Sequence, residues 1–400
     1  MAPGNSSVRI LFVIDSLGAS GAEHSTATMM PLLRARGHEI AVATLYDAGF
    51  GDEDRIRGDG FDVRPLRSQR FVGRVRELRR RIRAERPDVV HTALFSSDIV
   101  GRCAGWRTDS KVVSSLVNTT YDSGRFTDPN VRRWKLRIVQ LVDALTGRLM
   151  VDRFHAVSDG VAQVNAHDLR MAPSRISVVR RGRSRDQLGE WSVQRRLAVR
   201  ASLGCGPTTS VVLAVGRQEH QKAHVDLVRA VPHLQSAVAD VKVFIAGREG
   251  NASGVLAAAL AVAPSSADVV ELLGHRHDVA DLLCAADVLA IPSLYEGTAG
   301  VALEALALRC PIVCTDLAGV RGVLRDGDNA LLVPIGDPTA LAAALTRTLS
   351  DTALAELLRT NGRADFEARF TIAGAAEAME ALYADVISCG RPRRRGKVRR

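Results

Sequence analysis

Glu296 and Glu304 stand with seven residues between them in Ser293-Leu294-Tyr295-Glu296-Gly297-Thr298-Ala299-Gly300-Val301-Ala302-Leu303-Glu304-Ala305-Leu306. An apolar run over 287–292 precedes them and an alanine- and leucine-rich stretch follows. The pattern predicts Glu296 in the turn at the carboxyl end of a strand and Glu304 on the next helix. Ligands of open α/β sheets bind at such ends. The helix start, Gly297, Thr298, Ala299 and Gly300, offers backbone N–H groups to an anion, and each carboxylate can accept hydrogen bonds from hydroxyls. Those capacities suit a sugar nucleotide.

A second turn carries the opposite charge. In Val215-Gly216-Arg217-Gln218-Glu219-His220-Gln221-Lys222 a predicted strand ends and a helix begins, so the planar fork of Arg217 and the point charge of Lys222 can converge on a pyrophosphate. Two surface cations capping a helix are the alternative. Near the amino end, Ser16-Leu17-Gly18-Ala19-Ser20-Gly21-Ala22-Glu23 joins the first strand to a helix. Gly18 and Gly21 do not make the Gly-x-Gly-x-x-Gly of dinucleotide binders, and no acid follows the next strand at the ribose-binding distance, which disfavours a nicotinamide enzyme. His91, at the end of Val89-Val90-His91, is either an acceptor contact or a buried structural hydrogen bonder.

The elements that must position these residues follow from short apolar runs alternating with helical patterns. Strands are predicted at 8–14, 40–45, 88–92, 112–117 and 154–157, with helices at 23–36, 72–85 and 131–150. After a charged stretch, 180–200, the alternation restarts with strands at 211–215, 243–246, 269–273, 288–291, 312–315 and 330–333, then helices at 338–349, 351–369 and 372–386. Such alternation specifies α/β architecture, with two doubly wound parallel-sheet domains facing across a cleft.

The 400 residues suit two domains, and 46% hydrophobic content with few aromatics suits Val, Leu and Ala cores. The net charge of +10 belongs mainly to the end of the chain, because 391–400 holds seven Lys and Arg. That tail is expected to be disordered and solvated, or else to touch anionic lipid peripherally; no specific nucleic acid is expected. The arginine-rich 67–86 stretch is interrupted by Glu77 and Glu85 and reads as a solvated helix. Six cysteines without metal-ligand spacing read as free thiols of a reducing compartment. No secretory pattern or run of eighteen apolar residues occurs, so the expected location is cytoplasmic, with peripheral contact at the inner membrane face as an option.

From Val270 to about Asp337 the sequence resembles the carboxyl-terminal half of the retaining GT-B glycosyltransferases, group 1 or family 4-like, whose signature is Glu-x7-Glu. The surrounding residues follow the family's order: Val270-Glu271-Leu272-Leu273-Gly274, Ala285-Ala286-Asp287-Val288, Cys310-Pro311-Ile312-Val313, Ala318-Gly319-Val320 and Asp326-Gly327-Asp328-Asn329. Gly216-Arg217 with Lys222 matches a Gly-Arg-x(4)-Lys element, and Gly21-Ala22-Glu23 matches the end of a Gly-Gly-Ala-Glu loop. The resemblance implies an acceptor-side domain over 1–185, a nucleotide-sugar domain over 186–370, a helix over 371–388 crossing back to the first domain, and a tail over 389–400. It implies that Arg217 and Lys222 serve the diphosphate and that Glu296 orients the sugar. Glu304 would then accept from the ribose hydroxyls, 297–300 would supply N–H groups, and Gly21 would approach the donor phosphate. Arg276, in Gly274-His275-Arg276, would reach the base, and His91 the acceptor.

The implied reaction is hexosyl transfer from a nucleotide sugar, a UDP-sugar first among the candidates, to a hydroxyl of a glycan, lipid-linked or small-molecule acceptor. It would proceed with retention, without a protein nucleophile and without a metal or other cofactor. Ala223 replaces the glycine that usually follows the lysine of the Gly-Arg-x(4)-Lys element. Four other departures bear on the acceptor more than the donor: no histidine stands in 114–120, Ala93 replaces a histidine, Arg181-Gly182-Arg183 an Asn-Gly-Val, and Gly322 a glutamate. A non-catalytic partner subunit of the same fold and a basic-tail binder of membranes or nucleic acid are the alternatives. The intact Arg217, Lys222, Glu296 and Glu304 argue against the first.

Overall fold

The computed structural model describes residues 7–389, apart from 19, 20, 48, 50, 127, 263–265 and 267, so the expectation for the basic tail lies outside the described residues. Seven parallel strands form the first sheet: β1 (Arg9–Ile14), β2 (Glu39–Thr44), β3 (Asp62–Pro65), β4 (Val89–Ala93), β5 (Lys111–Leu116), β6 (Arg153–Ala156) and β7 (Ile176–Val178). Six more form the second: β8 (Ser210–Val215), β9 (Val241–Ala246), β10 (Val270–Gly274), β11 (Val288–Ile291), β12 (Ile312–Thr315) and β13 (Leu331–Val333). Their orders are β3-β2-β1-β4-β5-β6-β7 and β10-β9-β8-β11-β12-β13. Strand order therefore reverses beside β1 and β4 in one sheet, and beside β8 and β11 in the other, where ligand crevices open in doubly wound folds.

The central strands are buried along most of their length because helices cover both faces of a parallel sheet. Β1 is buried from Ile10 to Ile14, and its Phe12 pairs in register with Val42 on one side and His91 on the other. The helices that matter below are α1 (Gly21–Ala35), α2 (Phe71–Glu85), α3 (Phe95–Gly105), α4 (Arg133–Met150), α5 (Asp159–Asp168), α6 (His224–Ala237), α7 (Val279–Ala285), α8 (Gly300–Ala307), α9 (Thr352–Arg369) and α10 (Ile372–Ser388). Α2, α3 and α4 pack side by side as one layer.

Β3, β7, α3 and α5 were not legible in the sequence. Β3 and β7 are edge strands of four and three residues, too short to show a period. The charged stretch 180–200 is not a free connector. It holds a helix, Val193–Ser202, whose Arg196 and Arg200 bind Asp287 and the carbonyls of Ala285 and Thr209.

Α10 lies after the second sheet in sequence but packs on the first domain. Its Ile372, Met379, Leu382, Tyr383 and Val386 are buried in one cluster with Val8, Phe12, Met30 and Leu33. At about 1.5–3 kcal/mol for each large apolar side chain, this contact is a substantial clamp. A second tie crosses at the hinge, where Arg183 donates its N–H to Phe370 and accepts from Ile372.

Candidate active site

Β8 delivers its apolar residues to the core and ends at Gly216, whose φ is 155°. A Cβ there would lie 3.0 Å from Cδ and Cε of Lys222, so the glycine lets the lysine stem fold across the strand end. Lys222 closes a short 3-10 turn, and Ala223 then takes a left-handed conformation, φ 46°, to start α6. The Lys222 ammonium donates to Oε1 of Glu296, which also accepts from Ser293 Oγ at 3.0 Å. Glu296 is buried, 6% exposed, so the lysine is the charge that holds this carboxylate in place. Gln221 fixes the same geometry through the backbone: its Nε2 donates to the Tyr295 carbonyl, and its carbonyl accepts from Leu294 N–H.

Arg217 does not converge with Lys222. It is mostly exposed and reaches Glu219 at 3.3 Å, while Lys222 is engaged by Glu296. Together with Arg276, which grips Asp278 in bidentate fashion at 2.8 and 2.5 Å, Arg217 lines a cleft of about 350 Å³ between the domains. Ser16, Gly18 and Glu23 form its opposite wall. Glu23 is buried and accepts from Ser16 Oγ.

Glu304 sits on α8, and it is not a free acceptor: Arg183 Nε donates to its Oε1 at 2.8 Å. Arg183 is itself buried and passes over Gly300, where a Cβ would overlap its guanidinium. The neighbouring Arg181 has a different environment. Its Nε is buried without a partner, and burial, with Arg183 beside it, pushes the guanidinium down to about 10 against the attraction of Glu296. Its Nη1 faces Gly21, the first residue of α1. The sequence showed Arg181 and Arg183 as departures; their partners lie too far along the chain for spacing to reveal.

The 297–300 turn is pressed against the first domain. A Cβ on Gly297 would overlap the Val117 carbonyl, Thr119 Oγ1 donates to the Glu296 carbonyl at 3.1 Å, and Ser158 Oγ donates to the Gly319 carbonyl at 3.0 Å. Thr298 is buried, with Oγ1 3.5 Å from the Val157 carbonyl, and Ala299 is left-handed at φ 49°. Glycine at 297 is thus required by the close approach of the two domains.

His91 belongs to a separate, buried relay. Its Nδ1 lies 2.6 Å from Tyr383 Oη and its Nε2 2.8 Å from Ser115 Oγ, which lies 3.0 Å from His155 Nδ1. His155 Nε2 faces the Val179 carbonyl at 3.0 Å. A carbonyl only accepts, so His155 Nε2 carries a proton, Ser115 donates to Nδ1, His91 donates to Ser115, and Tyr383 donates to His91. Burial holds both imidazoles neutral, His155 at about 4 and His91 well below its ordinary value. Both rings border a small cavity of about 50 Å³ that also meets Phe12, Met29 and Arg181. Among the described residues no group of three or more His, Cys, Asp or Glu gathers as a metal site would need.

Two facing doubly wound domains with this cleft define the GT-B class of glycosyltransferase. Anabaena HepE in complex with UDP superposes with a TM-score of 0.81 at 18% identity, covering 94% of this chain and all of that one. Sucrose-phosphate synthase from Thermosynechococcus elongatus gives 0.81 at 19%, covering 96% and 100%. In sequence, residues 209–351 match the family described as glycosyl transferases group 1 and residues 19–187 match Glycosyltransferase Family 4. A D-inositol 3-phosphate glycosyltransferase of Mycolicibacterium vanbaalenii is 30% identical over 335 residues, 78% of this chain and 70% of that protein. The one from Mycobacterium marinum is 31% identical over 324 residues, 78% and 66%. The chain belongs to the group 1, family 4 glycosyltransferases.

Proposed function

We propose that the chain transfers a hexosyl group from a nucleoside diphosphate sugar, a UDP-sugar in the first instance, to a hydroxyl, with retention and without a divalent metal. The observation that carries this reading is the Lys222–Glu296 pair at the strand-order switch of the second sheet, beside a cleft lined by Arg217 and Arg276. As the bond from sugar to phosphate breaks, negative charge grows on the diphosphate and positive charge on the ring, so preorganised charges of both signs are needed. Lys222 and Arg217 supply the first, and Glu296 lies where sugar hydroxyls would be oriented. Glu304 keeps its Oε2 for a ribose hydroxyl while Arg183 holds Oε1. Arg276 and the Gly21 loop complete the donor side, with the N–H groups of 297–300 exposed as the domains separate.

HepE has been solved with UDP and with UDP-glucose, which supports the choice of base. The acceptor is an anionic polyol or a glycan carrying one. Arg181 is a half-buried cation whose Nε has no partner, and the relatives named above act, by their names, on an inositol phosphate. His91 borders that side through the relay that fixes its tautomer. The chain works in the cytoplasm, and its basic tail adds peripheral attraction to anionic lipid. No helix among the described residues is long and apolar enough to cross a membrane.

The test has two steps. UDP-, GDP-, ADP- and dTDP-sugars are compared for thermal stabilisation, which follows free ligand over Kd. The anomeric proton coupling of the product is then read by NMR. An α-linked product from an α-linked donor is expected; a β-linked product means inversion, calls for a general base, and removes the retaining assignment.

A further inference from the structure

Α4 carries six large apolar side chains in the open. Trp134, Ile138, Leu141, Val142, Leu145 and Leu149 are all exposed, Trp134 and Leu141 at 60% and Leu149 at 61%. Their intervals of three and four residues place them on one stripe about 22 Å long at 1.5 Å per residue. The face that packs on the domain is the opposite one, marked by the buried Leu136 and Gly147 and by Asp143, which binds Arg102. An amphipathic helix ordinarily turns its apolar stripe inward; α4 is apolar outward.

The charges on this helix have one sign at its surface. Arg133, Lys135, Arg137 and Arg148 are exposed, while its one acid, Asp143, is turned inward to Arg102. Α2, in the same layer, adds exposed Arg76, Arg80 and Arg83. We infer that the outward face of α4 is a docking surface for an anionic lipid bilayer, with the stripe entering the acyl boundary and the flanking arginines and Lys135 meeting the headgroups.

Charge decides between occupants. A second copy of the chain docked stripe to stripe would bring the same cations face to face, whereas anionic headgroups complement them. A fluid bilayer also conforms to an exposed helix face without a matching groove. Long arginine stems let the charge stay at headgroup level while leucines insert. None of the stripe residues lines the cleft beside the Lys222–Glu296 pair, so the surface holds or falls independently of the proposed reaction.

The full chain is sedimented with vesicles of phosphatidylcholine alone and with vesicles containing phosphatidylglycerol. Binding to the anionic vesicles is expected, with a loss of at least about tenfold in affinity for Leu141→Glu/Leu145→Glu at unchanged thermal midpoint, and with most binding retained after deletion of 391–400. Equal binding of the double variant, loss of all binding on tail deletion alone, or no binding to anionic vesicles would each overturn the inference. So would a dimer in solution that the same double variant dissolves, which would assign the stripe to a second copy.

Discussion

Two sets of ion pairs in this molecule look alike on paper and differ in what surrounds them. In the first domain Arg102 is fully buried between Asp98 at 3.5 Å and Asp143 at 2.5 Å, with Ser114 Oγ on its Nε and Thr146 Oγ1 on Nη1. Asp143 is held in turn by Tyr121 and Asp98 by Thr92. Lys222 of the second domain and Arg183 of the hinge each meet one carboxylate oxygen, at the border of the cleft. The buried cluster is closed to a ligand by its burial, although Arg102 Nη2 has no hydrogen-bond partner, whereas a pair joined through one oxygen beside the cleft has an oxygen left for one. The first set fixes a fold; the second can exchange partners.

Breaking the buried set should give the largest effect. Arg102→Ala leaves two carboxylates in the interior without their cation, an expected loss of about 3–5 kcal/mol. Urea unfolding followed by circular dichroism measures it. A loss below about 1 kcal/mol would mean that water already serves these carboxylates and that the contrast between the two regions is false.

Lys222→Ala should act on chemistry instead. Removing one preorganised charge from a developing anion costs about 10²–10³-fold in rate, and affinity for the free nucleoside diphosphate should fall as well. Kinetics with and without chelator, beside calorimetric nucleotide binding, decide this. Unchanged nucleotide affinity in the variant, or turnover abolished by chelator in the wild type, would take the cationic clamp out of the proposal.

How far the sequence carried this contrast depended on what each feature needs for recognition. The central strands were legible because a strand covered on both faces is a continuous apolar run, as in 10–14 and 211–214. Α3 was not, although it brings Asp98 and Arg102 into the core, because its charged residues read as surface. The two glutamates and Lys222 were readable by spacing around turns. The Arg183–Glu304 bond joins residues 121 apart and needs the hinge to bring them together. The helix at α4 was predicted, yet periodicity gives the existence of an apolar stripe and not the direction it faces.

Glu304→Ala sharpens the comparison within the site. A carboxylate that accepts from ribose contributes about 1.5–3 kcal/mol through a charged hydrogen bond, so affinity for a ribonucleotide should fall at least about tenfold, and less for its deoxyribose analogue. Titration calorimetry with both nucleotides reads the difference. If the variant still discriminates ribose as wild type does, Glu304 serves only to anchor Arg183.

Buried neutral groups of the first domain predict a pH response of opposing signs. His155, lowered to about 4, contributes stability that is present above pH 6.5 and is lost as pH falls toward 4, and His91 acts in the same direction. Asp98 is raised to about 7 by burial, against the pull of Arg102, so its contribution is present below pH 3.8 and lost as pH rises through 7. Between pH 6.5 and 5 one such histidine and this acid each amount to about 2 kcal/mol of opposite sign. Asp98→Asn should therefore expose a steeper loss of stability on acidification than wild type shows. Parallel stability curves for the two proteins would show that Asp98 is ionised throughout.

The smallest effect concerns Ala223, the left-handed alanine between Lys222 and α6. A left-handed alanine costs roughly 1–2 kcal/mol, which glycine would relieve. Glycine also adds about 0.4–1 kcal/mol of freedom to the unfolded chain and gives up a buried methyl worth about 0.8 kcal/mol, since Ala223 is only 5% exposed. The terms nearly cancel, and Ala223→Gly is expected to shift stability by less than about 1 kcal/mol either way, measured as a thermal midpoint. That near-balance is the physical reason an alanine can stand where the turn favours glycine, with Lys222 still presented to Glu296. A large stabilisation would mean that strain is stored beside the lysine, and the exchangeable pair would then be held under load rather than at rest.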